Sequence, residues 1–540
     1  MEDPSLYETV LADLAGGAPR PPVRVRPSAS VALWRRRGGE LEVYWIERAP
    51  SMAFMGGWHA FPGGGVSSRD HGLSPRTEPF VTPGAAPEAA MPEAVTDGLG
   101  RLAPILAPGV AVAALRELFE ETGVLPGLTA AHGARLPELR AALGAREIGL
   151  AGVAAATGVE LDASRLVYAG RWLTPPLGPL RFDNRFFLLE WDASEDVQPQ
   201  ADGREAVRGE WIRPADAIAL WRRGRVITAP PILHILRVLD EEGPVAGLPR
   251  LEEPAEENLG PFRRIEFRPG VVLLPLRTPT LPPASYTNCY LLGTRTCVLV
   301  DPGSAATREV DWLAAAVAAL AERHGRLPVE IWLTHHHPDH VGGAAALARR
   351  LGLPIAAHAE TAHRLAGRLA VDREIADGET RRLGGPDGEF TVRALHTPGH
   401  ARGHLCFLHE ELGSLLAGDV LAGLGTIVID PPEGDMTQYL ATLDRLIDLA
   451  PRTLFPAHGP VILDALGKLR EYREHRRWRE EKVLRAWRRG LREAAAMVPV
   501  VYEDAPRQAW RLAERQIVAH LERLQALGRL TARRGAGRAP

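Results

Sequence analysis

Seven side chains able to ligate metal fall in four short motifs. Thr334-His335-His336-His337-Pro338-Asp339-His340 supplies His335, His337, Asp339 and His340. His400 follows in His396-Thr397-Pro398-Gly399-His400, Asp419 in Ala417-Gly418-Asp419, and His458 in Pro456-Ala457-His458-Gly459. Seven such donors can hold two divalent ions. Imidazole and carboxylate together suit zinc, and iron and manganese also accept them. His335 and His337 are two apart, directly after the strand-like run Ile331 to Leu333, so both imidazoles lie on one side of an extended segment. Asp339 and His340 come where the chain turns toward a helix opening near Gly343. Both clusters then face a crevice beyond a strand's carboxyl end, where open α/β sheets often bind ligands.

A second group is acidic. In Arg116-Glu117-Leu118-Phe119-Glu120-Glu121-Thr122-Gly123-Val124, Glu117, Glu120 and Glu121 are spaced i, i+3, i+4 and share one helix face. Three massed negative charges are costly unless cations bind, and Mg²⁺ or Mn²⁺ prefer such oxygen ligands. Arg116 lies four residues before Glu120 and can orient it; Gly123 ends the helix.

The elements that must position these groups fill 540 residues, too many for one core, so about three domains are expected. The segment 23–242 alternates strand-like runs with one amphipathic helix, after an N-terminal extension, 1–22. Within it 71–108 is rich in Pro, Ala, Gly and Glu, without periodicity, and reads as an inserted mobile loop. Residues 243–260 read as a Pro- and Glu-rich linker. In 261–464, short β-rich runs alternate with helices at Thr307 to His324, Gly343 to Leu351 and Thr437 to Leu449, so the fold class is multidomain α/β. From 465 to 540 the chain is helix-periodic and basic, with 19 Arg/Lys against 9 Asp/Glu.

Composition is that of an ordinary globular protein, 45% hydrophobic and 24% charged, and the net charge of −3 gives no global field toward nucleic acid or an anionic membrane. Only Lys468 and Lys482 are lysines, so 62 of the 64 basic residues are Arg, which codon bias explains before binding does. Cys289, Cys297 and Cys406 cannot form a closed disulfide set, which favours a reducing compartment. The acidic N-terminus lacks the pattern of a signal peptide, and no apolar run approaches the length of a membrane span. A cytoplasmic enzyme is the expectation; nothing fixes the oligomeric state.

The four histidine and aspartate motifs resemble the metallo-β-lactamase superfamily over about 200 residues. The resemblance implies an αββα sandwich and a binuclear zinc site. His335, His337 and His400 would hold the first metal, and Asp339, His340 and His458 the second. Asp419 would bridge them, and Asp301 of Val300-Asp301-Pro302-Gly303 would support the histidine loop. The implied chemistry is hydrolysis, with Asp339 orienting or deprotonating the water. His336, His396 and His404 stand near the motifs, but none is expected to ligate. Thr280-Leu281-Pro282-Pro283 and Thr287-Asn288-Cys289-Tyr290-Leu291 look like the opening strand of the β-lactamase-like-2 group. The short Asp419-to-His458 interval argues against nucleases carrying an extra β-CASP domain.

The glutamate helix, with Phe61-Pro62-Gly63-Gly64-Gly65-Val66, resembles the Nudix box, and the insertion resembles the coenzyme A diphosphatase branch. That implies an α/β/α sandwich that cleaves nucleoside diphosphate derivatives, with Glu117, Glu120 and Glu121 on Mg²⁺ or Mn²⁺ and Glu120 or Glu121 as base. The family's Glu eight residues before the box Arg is here Pro108. The C-terminal region is similar to the small winged helix of β-lactamase-like-2 proteins, and its Arg surplus suits phosphate contact. Its bland counterpart is a helical cap on the hydrolase. The expected function is a bifunctional metal-dependent hydrolase, with RNA phosphodiester or thioester as the central substrate and a nucleotide or coenzyme A compound at the Nudix site. Single-stranded RNA is a candidate partner. The rival is a nucleotide-sensing, DNA-binding regulator with an inactive Nudix domain.

Overall fold

The computed structural model describes residues 25–52, 55–71, 73, 75, 108–174, 180–191, 195–252, 265–384 and 390–530. The extension 1–22, nearly all of the insertion and the end of the C-terminal tail lie outside them. Two compact units divide between Val272 and Leu273.

In the first unit, strands β1 (Val25–Arg37), β2 (Glu40–Arg48), β3 (His59–Ala60), β4 (Gly63–Gly65), β5 (Val167–Leu173), β6 (Arg181–Glu190) and β7 (Ala206–Ile212) form one mixed sheet. Its order is β3-β2-β1-β6-β5, with β4 on β1 and β7 on β2. β1 and β6 are parallel and the other pairs antiparallel. Period-two alternation sends side chains to two cores. Ala29, Val31, Leu33, Tyr44, Ile46, Phe187 and Leu189 pack with helix α1 (Pro108–Thr122). Ala32, Val43, Trp45, Phe186 and Leu188 pack with α2 (Pro214–Arg222) and α3 (Pro230–Glu241). Both faces of the sheet are therefore covered by helices. Residues 243–252, read as part of a linker, form helical turns at Gly243–Ala246 and Leu248–Glu252, and Leu251 is buried in the second core. The rest of that span, from 253 to 260, is not described.

In the second unit, one sheet runs β14-β13-β12-β11-β10-β9 and a second runs β15-β16-β17-β18-β19. The strands, after β8 (Ile265–Arg268), are β9 (Val271–Arg277), β10 (Tyr286–Leu292), β11 (Thr296–Val300), β12 (Leu327–Trp332), β13 (Ile355–Ala357) and β14 (Arg373–Glu374). The second sheet comprises β15 (Thr380–Arg382), β16 (Thr391–His396), β17 (Leu405–His409), β18 (Ser414–Gly418) and β19 (Thr453–Pro456). The sheets face each other: the Trp332 ring lies 4.9 Å from Phe407, and Tyr290 lies 6.0 Å from Phe455. Helix α4 (Thr307–His324) lies against β12. Helix α5 (Met436–Leu449) buries Tyr439, Leu443 and Leu446 against Leu395, Leu408 and Leu415 of the second sheet. Each such side chain stabilises the sandwich by about 1.5–3 kcal/mol.

The C-terminal helices are α6 (Ala465–Arg488), α7 (Ala494–Val501) and α8 (Trp510–Ala526). They fill most of the segment read as helix-periodic, and α7 carries Pro499 inside it. On α8, Ile517 and Leu524 are fully buried, while Leu527, past the helix end, is 50% exposed. Among the described residues no helix is long and apolar enough to cross a membrane. All three cysteines are buried, and none forms a disulfide.

Candidate metal centre and the acidic helix

The chain leaves β12 at Trp332 and delivers His335 and His337 at once; Pro338 then opens the short helix Pro338–Val341, which carries Asp339 and His340. Gly303 makes this turn possible, since a Cβ there would lie 1.8 Å from the Asp339 carbonyl oxygen. His400 and His458 follow β16 and β19, and Asp419 follows β18, so all seven donors meet at one end of the sandwich. Three overlapping groups form: His335, His337 and His400; His335, His340 and Asp419; and Asp339, His340 and His458.

The hydrogen-bond network sets the ring tautomers. His340 Nδ1 donates to Asp301 Oδ2 at 2.8 Å, His400 Nδ1 to the Val428 carbonyl at 2.7 Å, and His458 Nδ1 to the Tyr286 carbonyl at 3.0 Å. Thr334 Oγ1 donates to Asp301 at 2.6 Å and so accepts from His335 Nδ1 at 2.9 Å. Each of these four rings therefore presents a bare Nε2 to the interior. His335 Nε2 and His400 Nε2 lie 2.9 and 3.0 Å from His337 Nδ1. Three converging acceptors can share one proton only as a single pair, whereas a cation satisfies all three. Asp419 completes the cage, 3.5 Å from His400 Nε2 and His458 Nε2 and 3.6 Å from His340 Nε2. His340 Nε2, His458 Nε2 and Asp419 Oδ1 are buried without hydrogen bonds. These spacings are close to the roughly 3.3 Å between donors around a tetrahedral ion with bonds near 2.0–2.1 Å. The residues fit divalent metal.

The three other histidines belong to none of these donor groups. His404 Nε2 accepts from the Asp419 amide at 2.9 Å and its Nδ1 meets Thr397 Oγ1 at 2.8 Å. His396 stacks on His358 and meets the Arg402 carbonyl. His336 Nδ1 lies 4.0 Å from Glu433.

On α1, Arg116 bonds Glu117 at 2.8 Å and Glu120 at 3.3 Å, while Glu121 accepts from the Gly63 amide at 2.8 Å. β4 presses so closely on the helix that a Cβ at Gly64 would lie 2.4 Å from Glu117 Oε1. Pro108 stands at the first helical position. The acid that pairs with Arg116 through Nε and Nη2, at 2.9 and 3.1 Å, is instead Asp70, from the turn after β4. Counting back from Arg116 missed Asp70 because the insertion separates them in sequence. Glu205, far downstream, adds charge toward all three glutamates. Burial raises Glu117 to about 7, and burial and then Glu117 push Glu121 well above the carboxylate range. The three glutamates are not among the described groups whose donor atoms lie within 4.8 Å of one another.

Residues 282–458 match the metallo-beta-lactamase superfamily model, and 494–537 match the beta-lactamase associated winged helix domain. The Beta-lactamase-like protein 2 homolog of Drosophila melanogaster is 31% identical over 255 residues, 45% of this chain and 84% of that protein. The chain belongs to the metallo-β-lactamase superfamily. The Atrochrysone carboxyl ACP thioesterase of Claviceps purpurea (strain 20.1) is 34% identical, over 37% of this chain and 59% of that protein. The crystal structure of a NUDIX hydrolase from Alicyclobacillus acidocaldarius is 24% identical, covering 41% of this chain and 92% of that one, at a TM-score of 0.32, too low to assign the N-terminal unit.

In the metallo-β-lactamase domain, burial and neighbouring charge shift the donors in opposite directions. Burial, then neighbouring imidazoles, lowers His335 and His337, which keeps them neutral. Burial works against charge on His340 too, but Asp419, Asp301 and Asp339 outweigh it and raise it well above the usual histidine range. Burial opposes charge on Asp419, yet His458 and His340 hold it well below the carboxylate range. Beside the cage opens a cleft of about 30 Å³, lined by His400, Asp419 and His458 together with Leu281, Pro282, Ala284, Leu424 and Ile427.

Proposed function

We propose that the metallo-β-lactamase domain is a two-zinc hydrolase of acyl thioesters, joined to a Nudix-type hydrolase of a nucleoside diphosphate derivative such as coenzyme A. The cleft carries the choice of thioester: away from the cage its lining is mostly aliphatic, with Leu281, Pro282, Ala284, Leu424 and Ile427, and none of the described residues lining it is Arg or Lys. An acyl chain suits such walls, whereas RNA phosphates call for cations. The thioesterase named among the relatives supports the same choice.

His335, His337 and His400 would hold one ion, Asp339, His340 and His458 the other, and Asp419 would bridge them. When bound, the ions supply an activated water near neutral pH and stabilise charge on the thioester carbonyl oxygen. Asp339 orients the water and takes its proton. Asp301, the Val428 carbonyl and the Tyr286 carbonyl keep protons on the outer ring nitrogens. The apolar wall holds the acyl chain and excludes bulk water.

In the N-terminal unit, Glu117, Glu120 and Glu121 would hold Mg²⁺ or Mn²⁺, which supply an activated water for diphosphate cleavage. Arg116, clamped by Asp70, orients Glu117 and Glu120; Glu120 or Glu121 takes the water's proton. The sheet covered by helices on both faces supports the Nudix reading, as does the close fit of β4 on the glutamates. The winged-helix region braces the hydrolase on this reading. Arg479 pairs with Asp504, Arg523 and Arg529 with Glu480, and Arg515 with Asp430, so much of its positive charge is engaged within its own unit. Three cysteines without a disulfide accord with a reducing, cytoplasmic setting.

The test is thiol release from acyl-CoA with Zn²⁺, and cleavage of coenzyme A with Mg²⁺ or Mn²⁺, by wild type, His335→Ala and Glu120→Gln. The expected result is that His335→Ala loses only the first activity and Glu120→Gln only the second. RNA cleavage lost in His335→Ala, with no thioester hydrolysis, would replace thioester by RNA. Metal-independent binding to duplex DNA, modulated by nucleotide, with neither hydrolysis, would replace both by the regulator.

A further inference from the structure

The segment Thr426–Asp430 forms part of the cleft wall and supplies the carbonyl that fixes His400, yet it belongs to no strand or helix. No ladder sets its position. Side chains of the C-terminal helices do. Arg476 of α6 is 2% exposed, and its Nη2 donates to the Ile427 carbonyl at 2.5 Å and reaches Thr426 Oγ1 at 3.4 Å. Gln516 of α8, also buried, donates to the same carbonyl at 3.1 Å and accepts from Arg476 Nη1 at 3.3 Å. The guanidinium lies over the Tyr439 ring, 5.5 Å from its centroid. Arg515 pairs with Asp430 at 2.5 Å.

We propose that Arg476, with Gln516, is a positioning residue for the metal centre: it pins Ile427, so that the next carbonyl, of Val428, holds the proton on His400 Nδ1 and leaves Nε2 aimed into the cage. The C-terminal domain is thereby part of the metal site's support. The inference rests on the reading of His400 as a metal donor. A charged guanidinium donating to a buried carbonyl is a strong bond, and replacing Arg476 by an apolar chain leaves that carbonyl with Gln516 alone. Partners that orient a ligating histidine typically govern metal affinity by 10–100-fold, and Arg476 acts one bond further out, so about tenfold is expected.

The test uses full-length, chelator-stripped protein titrated with Co²⁺ alone, reading affinity and the visible d–d spectrum. Arg476→Met is expected to weaken binding about tenfold and alter the spectrum, with Arg476→Lys between it and wild type. Arg479→Met is the control. Arg479 bonds Asp504 and the Val501 carbonyl within the same helical domain, so its loss should lower Tm while leaving the Co²⁺ spectrum intact. Should Arg476→Met not fold, Gln516→Leu removes the second donor and is expected to shift Co²⁺ affinity in the same direction by a smaller factor. Wild-type Co²⁺ binding in the folded Arg476 or Gln516 variant, or equal weakening in Arg479→Met, overturns the proposal. Unchanged Co²⁺ binding in His400→Ala overturns the metal-site reading itself and this proposal with it, a result separable from the other two.

Discussion

Asp301→Asn isolates the hydrogen bonding that orients the histidines. The Asp301 side chain is buried and accepts from the Thr334 amide at 2.8 Å, Thr334 Oγ1 at 2.6 Å and His340 Nδ1 at 2.8 Å. Asparagine keeps the size and tolerates the positive φ of 52°. Its carbonyl oxygen can still accept from the Thr334 amide. Its NH₂ would take the place of Oδ2 and confront two donors, the Thr334 hydroxyl and His340 Nδ1–H. The hydroxyl cannot simply reverse, because it already accepts from His335 Nδ1. His340 must then move its proton to Nε2, the atom facing Asp419, or leave its place. Two buried donors without acceptors cost about 1–3 kcal/mol each, so a loss of about 3 kcal/mol is expected. That corresponds to a fall in Tm of roughly 6–12 °C for a unit of this size. Metal affinity should fall about 10–100-fold. Competition of Zn²⁺ against a chromophoric chelator, with thermal melting of the metal-free protein, measures both. Wild-type Zn²⁺ affinity and stoichiometry in a folded Asp301→Asn protein would refute the tautomer argument.

The glutamate helix gives a pH dependence. Folded pKa values of Glu117 and Glu121 lie above those of the unfolded chain, so the folded state binds more protons, and stability of the metal-free N-terminal unit should fall as pH rises from about 4.5 to 7 and beyond. Mg²⁺ should reverse the loss, and Glu121→Gln, which keeps an acceptor for the Gly63 amide, should flatten the slope; a melting curve that rises through this window would contradict the assignment. Gly64→Ala would place a methyl 2.4 Å from Glu117 Oε1, displacing that carboxylate and reducing Mg²⁺-dependent cleavage at least tenfold with thioester hydrolysis unchanged. Equal activity of Gly64→Ala at both sites would show that the close approach is unimportant.

The histidine and aspartate motifs that converge in the fold were legible because their spacing is local. His335 and His337 alternate off the end of a strand, and Asp339 and His340 begin the next helix, so the sequence order already states the geometry. Asp301 was legible through its turn. The atoms that orient the rings were not: the acceptors on His400 and His458 are backbone carbonyls of Val428 and Tyr286, which any residue type could supply. Arg476 was lost among the many arginines of a basic helix, since only packing separates a buried clamp from a solvated charge. Asp70 was hidden by the insertion. The helices at 243–252 were hidden by the Gly and Pro that ordinarily mark a linker.

The most direct measurement is metal content of the purified full-length protein by elemental analysis, with thioester hydrolysis followed on the same samples. The account predicts about two equivalents of zinc per chain in wild type. It predicts about one in His458→Ala, with activity lost in step, and little metal in Asp419→Ala. Wild-type protein that hydrolyses acyl-CoA after complete removal of metal, or that retains full metal content when Asp419 is replaced, would contradict it.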